Sequence, residues 1–512
     1  MNDALQSELR AIVGADYVKS GEAERIAYAS DMWPRHQIWK LGGEIARHPP
    51  DAVVWPACEE EIVRITAAAA RHRVPLIPYG AGSGVCGGTM PVRGGIVMDV
   101  KRMRRVLAVD DTDLTVTAEA GIVGMHLEEE LQDRGYTLGH FPSSILCSTL
   151  GGWLAARSAG QLSSKYGKIE DMVVGLRAVL ADGSVLQTGP EAAVDWTQIL
   201  VGSEGTLGTI TAGTLRIHPK PQAEVLRGYR FRTVEAGLHS IRQVMQAGLS
   251  PHVVRLYDPF DSLLQSGGAG ASTPGTLAPV TELLGGTATA LKKRTPRLAI
   301  AMALSYPSVV NRLIDALPVS SLLVIGFEGP EGRAEADLQR ARRILEGAGG
   351  IDGGEGPGKR WLEHRYNVSF KQPPLFAAGA FVDTMEVSCP WSRLQGLYAG
   401  VRAALSPHVL IMAHFSHAYR EGCSIYFTFA GYKKDAAAAE RLYDRVWEDG
   451  LTAVLRAGGS ASHHHGVGYA KRDVMRREHG AGIRLLYGVK DGFDPHEALN
   501  PGKVLPDRAV VT

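Results

Sequence analysis

The chain has 512 residues, with 55 Lys and Arg against 54 Asp and Glu, 60 glycines and five cysteines; this length admits two or three domains, and the balanced charge excludes nucleic acid as the partner. The cysteines (Cys58, Cys86, Cys147, Cys389, Cys423) form no C-x-x-C pair, which argues for a reducing, cytoplasmic setting and against disulfide or zinc–thiolate frameworks. No apolar run approaches about 18 residues and the polar N-terminus lacks a signal-peptide core, so no integral membrane segment is expected, while peripheral contact with a membrane surface stays open.

Residues 1–46 read as a helical segment with its connections. A short strand is expected over 53–56, then a helix over 59–72 (EEEIVRITAAAARH), whose apolar residues recur at helical spacing. Strands follow over 74–79, 95–100 and 114–120, with a glycine loop between the first two. A helix over 125–134 and strands over 171–180 and 209–217 complete this region. After Pro219-Lys220-Pro221 the texture changes. Strand 225–231, helix 234–247, strands 253–256 and 322–327, helix 334–346 and strands 381–387 and 424–430 suggest a second, antiparallel domain. Residues 266–290, rich in small and polar side chains, read as a loop. From about 457 the chain reads as loop and helix. The fold class is α+β.

Gly82-Ser83-Gly84-Val85-Cys86-Gly87 matches G-x-G-x-x-G, but that motif must open a helix to act as a Rossmann phosphate site, and no helix fits before the strand near Gly95. The alternatives are a plain connection or a nest of backbone N–H groups around a diphosphate. Further glycine and serine loops favour the nest: Pro142-Ser143-Ser144, Thr149-Leu150-Gly151-Gly152-Trp153, Ala159-Gly160 with Tyr166-Gly167, and Gly202-Ser203-Glu204-Gly205-Thr206-Leu207-Gly208. Hydroxyls and bare amides suit a long dinucleotide. Near the C-terminus, Ser462-His463-His464-His465-Gly466-Val467-Gly468 places three adjacent imidazoles on a glycine-flanked turn. Imidazole suits proton transfer near neutrality; a histidine-rich surface loop or a metal tract are the other readings.

Together with Pro78-Tyr79-Gly80-Ala81-Gly82-Ser83-Gly84 and Asn500-Pro501-Gly502-Lys503, these motifs resemble the vanillyl-alcohol-oxidase-type flavoproteins, the FAD-linked oxidase superfamily, over about residues 47–506. The resemblance implies a PCMH-type, two-subdomain FAD-binding domain over 47–220, an antiparallel cap domain with helices over 221–456, and a segment 457–512 that returns to the FAD site. It implies noncovalent FAD held by Pro78, Gly80, Ala81, Gly82, Ser83, Gly84, Val85, Pro142, Ser143, Ser144, Thr149, Gly151, Gly152, Ala155, Ser158, Ala159, Tyr166, Glu204, Gly205, Thr206, Gly208, Ile210 and Asn500. Cys86 reads as a small packing residue rather than a flavin-linking thiol.

Within the superfamily, Ser148–Trp153, Tyr166–Asp171, Ile425-Tyr426-Phe427 and the histidine triplet are most similar to the alkyldihydroxyacetonephosphate synthases and their bacterial relatives. By that resemblance Tyr426 is the catalytic tyrosine, His463, His464 and His465 the catalytic histidines, and Arg255 a substrate residue. From the residues alone, Tyr426 in SIYFTF reads as a core aromatic, and Arg255 is equally a structural ion pair. Two positions depart from the family: Lys371 stands near its phosphate-binding arginine, and His414 stands where it has another arginine. A lysine holds an anion as a point charge, without a guanidinium's fork. His414 and His417 could line the site or bind a metal, but residues three apart on a strand alternate off one face, so no metal is assigned.

The departures favour oxidation of a small hydroxy acid or alcohol by hydride transfer to flavin, with Tyr426 or a triplet histidine as base and Arg255 and Lys371 on an anionic substrate. The alternative is ether-forming synthase chemistry on an acylated dihydroxyacetone phosphate, without net redox change. A third reading is a non-enzymatic binding module, which the tyrosine and histidine set argues against. A homodimer is the expected assembly.

Overall fold

The structure, a computed structural model, describes residues 2–265, 301–367 and 373–508. The expected loop at 266–290 and Lys371 lie outside the described residues.

Helix α1 (Asp3–Val13) leads to strand β1 (Val18–Lys19) and then β2 (Ala52–Val54). Helix α2 spans Glu59–His72, as its periodicity predicts. Glu59, Glu60 and Glu61 in its first turn and Arg71 and His72 in its last complement the helix dipole. Its apolar face, Ile62, Ile65, Ala68 and Ala69, packs with Leu5 and Leu9 of α1 over the sheet residues Leu76, Ile96 and Met98. Strands β3 (Leu76–Tyr79) and β4 (Ile96–Asp99) complete a sheet of order β1-β2-β4-β3. Strands β3 and β4 are parallel, yet residues 80–95 join them without a helix, so the glycine segment crosses the end of the sheet as bare loop.

The second sheet is antiparallel. Its strands are β5 (Val106–Asp110), β6 (Thr115–Glu119), β8 (Val173–Val179), β9 (Val185–Gln187) and β10 (Thr209–Arg216), ordered β5-β6-β10-β8-β9. A ribbon of β7 (Tyr136–Thr137) and β11 (His218–Pro219) flanks it. Helix α3 (Gly124–Asp133) lies one residue from its expected place. The segment Thr149–Trp153, read as a loop, instead opens helix α4 (Leu150–Ala156), with the Thr149 side chain capping it through the Gly152 amide.

The cap is one seven-stranded antiparallel sheet of order β15-β12-β14-β13-β17-β18-β16: β12 (Ala223–Phe231), β13 (Val253–Tyr257), β14 (Ser321–Gly329), β15 (Ile351–Asp352), β16 (Ala380–Pro390), β17 (Leu410–Ala418) and β18 (Gly422–Tyr432). Helices α5 (Val234–Gln246), α6 (Arg333–Gly347), α7 (Trp391–Leu405) and α8 (Ala436–Arg456) bury one face of it. The alternation of each strand then decides which side chains look toward the FAD-binding region. Val254 and Leu256, Met385 and Val387, Ala413 and Phe415, and Ile425 and Phe427 join the helix-covered core. Val253, Tyr257, Leu322 and Val324 pack into the core of the second sheet. Arg255, Glu386, His414 and Tyr426 occupy the alternate positions, so they share the face turned toward that sheet. Among the described residues no helix is long and apolar enough to cross a membrane.

Candidate active site

The glycine segment is built to receive a ligand. None of the backbone amides from Gly80 to Thr89 donates to an acceptor among the described residues. Ten consecutive N–H groups without a protein acceptor, those of Gly82, Cys86 and Gly87 in buried residues, make a surface suited to an external acceptor. Gly82 has φ +63°, in the left-handed region that favours glycine, and a Cβ on Gly80 would stand 2.3 Å from Thr149 Oγ1. A Cβ on Gly84 meets only Asp31 Oδ2, at 3.9 Å, so that position faces open space. The buried Oγ1 atoms of Thr89 and Thr209, Ser203 Oγ and Asn500 Oδ1 also lack partners. These groups fit a cofactor with a diphosphate and many hydroxyl and carbonyl groups.

The remaining residues expected at the cofactor are distributed around this loop. A Cβ on Gly205 would press Pro78 at 3.0 Å, and one on Gly151 would press Ala120 at 2.8 Å, so both loops lie close against their neighbours. Asn500 Nδ2 donates to the carbonyls of Gly88 and Glu204 at 2.8 and 2.7 Å, drawing the C-terminal segment onto the glycine loop. The Glu204 amide donates to Ala155 O. Ser143 Oγ accepts from Gln161, and the Ser144 carbonyl accepts the Cys147 amide. Ser158 Oγ lies 3.2 Å from His140 Nε2, Ala159 is buried, and Ile210 and Gly208 border the irregular start of the β10–β8 ladder. Two expected cofactor residues have further duties. Tyr166 donates its hydroxyl to Glu328 of β14 at 2.5 Å, joining the two regions. The buried Glu204 carboxylate accepts the amides of Val467 (2.6 Å) and Gly468 (2.9 Å), fixing the end of the histidine turn.

The side chains expected to be catalytic gather where that turn meets the cap sheet. Tyr426 lies between Glu386 and His414 in register. Its hydroxyl is 2.5 Å from His464 Nε2 and 2.9 Å from His417 Nε2. His417 Nδ1 continues to Ser163 Oγ at 2.6 Å. On a regular strand His414 and His417 would face opposite ways. The ladder slips between Ser416 and Ala418, and His417 takes φ +54°, which returns its ring to the same face as Tyr426. His414 stacks on Tyr426 with ring centres 4.6 Å apart and holds Arg255 Nη2 on its Nε2 at 2.7 Å. His414 Nδ1 is 3.3 Å from Asp261. Arg255 forms no ion pair among the described residues, and its Nε is buried without a partner.

Glu386 holds the histidine turn. The amides of His463, His464 and His465 point at its buried carboxylate, at 3.1 to 3.3 Å, and His464 Nδ1 lies 3.2 Å from Oε1. Burial alone would raise this carboxyl, but His464, His465 and Lys471 hold it well below the usual range. Burial drives the imidazoles the other way. His463 and His465 fall to about 3 and His414 to about 4, and His417 lies well below the ordinary value. Burial, then the Glu386 charge, raises the Tyr426 phenol well above 10. The donor atoms of Glu386, His463 and His464 lie within 4.8 Å of one another, but the hydrogen bonds just given engage them, so no metal is assigned. Glu224, His252 and Glu328 form a second such group, where Lys165 Nζ already approaches Glu328 at 3.3 Å.

The structure therefore brings together Tyr426, His414, His417, Arg255 and the triplet; Lys371 is outside the described residues. Glu386 was missed in the sequence, although an acid in the strand-like run FVDTMEV, which also holds Asp383, is a signal. So was His140, fully buried, pushed to about 3 by burial and then by the nearby His464.

Comparison with known proteins places this architecture. Residues 220–504 match the family described as FAD linked oxidases, C-terminal domain, and residues 50–189 match an FAD binding domain. An alkyldihydroxyacetonephosphate synthase of Dictyostelium discoideum is 33% identical over 98% of this chain and 80% of its own length. The glycolate oxidase subunit GlcD of Bacillus subtilis is 25% identical over 98% of this chain and 96% of its own. A solved alkyldihydroxyacetonephosphate synthase superposes with a TM-score of 0.75 at 28% identity, covering 98% of this chain and 85% of that one. A p-cresol methylhydroxylase shares the fold at a TM-score of 0.73 and 16% identity, covering 99% and 97%. These likenesses reverse the ranking drawn from the two departures, because synthases resemble the chain more than a hydroxy-acid oxidase does. The cofactor is FAD, and the chain belongs to the FAD-linked oxidase family of flavoenzymes.

Proposed function

We propose that the protein exchanges the acyl group of an acylated dihydroxyacetone phosphate for a long-chain alkoxy group, without net redox change. The observation that carries the proposal is the Tyr426 hydroxyl between His464 and His417, on a face shared with Arg255, which bonds His414 but forms no ion pair among the described residues. The 33% identity to a synthase over nearly the whole chain supports it. Gly80–Thr89, Thr209, Ser203 and Asn500 would hold FAD, whose ring would supply the electron-accepting and electron-returning centre. Arg255 binds the phosphate through its free guanidinium edge, with Lys371 as a second cation. Tyr426 and His464 remove the proton from the carbon or hydroxyl that reacts and return it later in the cycle, within hydrogen-bond reach of about 3 Å. Such a reaction leaves the oxidised flavin spectrum unchanged after turnover. Incubation with an acyl dihydroxyacetone phosphate and a fatty alcohol should yield an ether; absence of ether with both substrates present would reject the proposal.

One observation favours a second reading, oxidation of a small hydroxy acid. Burial and Arg255 keep His414 neutral where the synthases resemble one another in an arginine. The anion site then holds one guanidinium and a neutral ring, a charge suited to a monoanionic carboxylate. In that case a hydroxy acid bleaches the flavin under anaerobic conditions.

A further inference from the structure

The reading of Tyr426 as a proton acceptor meets a physical difficulty. A buried phenol close to a carboxylate resists ionisation, so a standing phenolate is not available at neutral pH. The hydrogen bonds around it offer a way out when they run in one direction. The Glu386 carboxyl is held toward its charged, acceptor-only form. A hydrogen on His464 Nδ1, 3.2 Å away, satisfies it. His463 Nδ1, 2.9 Å from the same nitrogen, is then a lone pair. His464 Nε2 is then free to accept, and the Tyr426 hydroxyl donates to it at 2.5 Å. With its hydrogen so directed, the Tyr426 oxygen accepts from His417 Nε2 at 2.9 Å, which leaves His417 Nδ1 to accept from Ser163 at 2.6 Å.

Resting on the reading of this pocket as a proton-handling site, we propose that Glu386, His464 and Tyr426 act as one relay. The substrate's proton bonds to the Tyr426 oxygen while the Tyr426 hydrogen moves to His464 Nε2, and Glu386 positions His464 and holds the imidazolium that forms. One bond to hydrogen breaks at the substrate and one forms at Tyr426; one breaks at Tyr426 and one forms at His464. The phenol stays neutral throughout, and the electron pair remains on the substrate atom that lost the proton. Glu386 is thus a positioning residue, acting through His464. The other groups bearing on His464 are His463, His465 and Lys471 from the C-terminal segment, His417 and Tyr426 from the sheet, Arg255 beyond Tyr426, and His140 from the FAD-binding region. Of these only Glu386 supplies a negative charge.

The test reads the imidazole nitrogens of His464 by NMR in FAD-loaded protein labelled with [¹⁵N]histidine, the signal being assigned by its loss in His464→Ala. The neutral ring should be the Nδ1–H tautomer. In Glu386→Gln the one carbonyl oxygen can still accept from the turn amides, but the carboxylate that favours a hydrogen on Nδ1 is gone, so the Nδ1–H share of the signal should fall along with the rate, whereas a merely structural role would lower the rate and leave the tautomer in place. An Nε2–H tautomer in the unaltered protein, or an unchanged tautomer in Glu386→Gln, overturns the relay. The tautomer alone decides if the variant does not fold. Neither NMR measurement uses substrate, so a failure of the synthase reading leaves this test intact.

Discussion

Removing the Glu204 carboxylate should unfasten the histidine turn from the FAD-binding region. In Glu204→Ala the amides of Val467 and Gly468 lose their acceptor, the first half-buried and the second buried. Each orphaned donor costs about 1–3 kcal/mol. Part of that is returned, because burial raises the Glu204 carboxyl above its ordinary value and so penalises the charged form. A net loss of about 2–4 kcal/mol remains. With about 2.1 cal/mol/K of unfolding entropy per residue over 512 residues, this corresponds to a melting shift of roughly 2–4 °C. Glu204→Gln keeps the amide acceptor without the charge and should stay within about 1 kcal/mol of the parent. Melting of the FAD-loaded proteins, followed by flavin fluorescence, measures both. If the alanine variant melts with the parent, or the glutamine variant falls as far as the alanine, the two amides are not what the carboxylate holds.

Tyr426→Phe should retain FAD and lower turnover by about 10²-fold or more, the usual worth of a positioned acid–base group; a parental rate would remove the tyrosine from the chemistry. Gly84→Glu should prevent FAD binding, since the new carboxylate extends into open space beside unpaired amides that await a diphosphate. Acid precipitation should leave a yellow supernatant from the parent and a colourless one from this variant, and equal colour would place the diphosphate elsewhere. Asp383 accepts from Tyr443 and Trp447, and burial raises its carboxyl to about 7. The folded state therefore holds this proton more tightly than the unfolded state does. Its contribution to stability is fully present below the ordinary carboxyl value and is lost as pH rises toward about 7. Asp383→Asn should abolish that slope, and melting curves of parent and variant that stay parallel from pH 4 to 8 would contradict it.

The elements that sequence reasoning recovered are those whose periodicity, charge and punctuation agree. Helix α2 has acids at its start, bases at its end and apolar residues at helical spacing, so its bounds were legible. The glycine segment was legible as a nest because no helix fits between two nearby strands. Thr149–Trp153 was not legible as a helix start: Gly151 and Gly152 signal a loop, and only close packing on Ala120 explains the first. His417 shows the deeper limit. A period of two separates it from His414, and the slip that reunites them sits at a non-glycine residue with positive φ, which no residue type announces. Tyr426 and the triplet are 37 residues or more apart in the chain, and their contact depends on Glu386 gathering three successive amides, a role visible only once strand β16 lies beside β18.

Group exchange and net oxidation at the Tyr426 pocket, the first of which is proposed, differ in what they leave on the flavin. The most direct measurement follows the flavin absorbance anaerobically while product is analysed by mass spectrometry, with an acyl dihydroxyacetone phosphate plus a fatty alcohol in one cell and small hydroxy acids in another. Ether product should form in the first cell with the oxidised flavin spectrum intact at the end of turnover, and no bleaching should occur in the second. Lasting bleaching by a hydroxy acid, with no ether formed from the phosphate ester, would contradict group exchange.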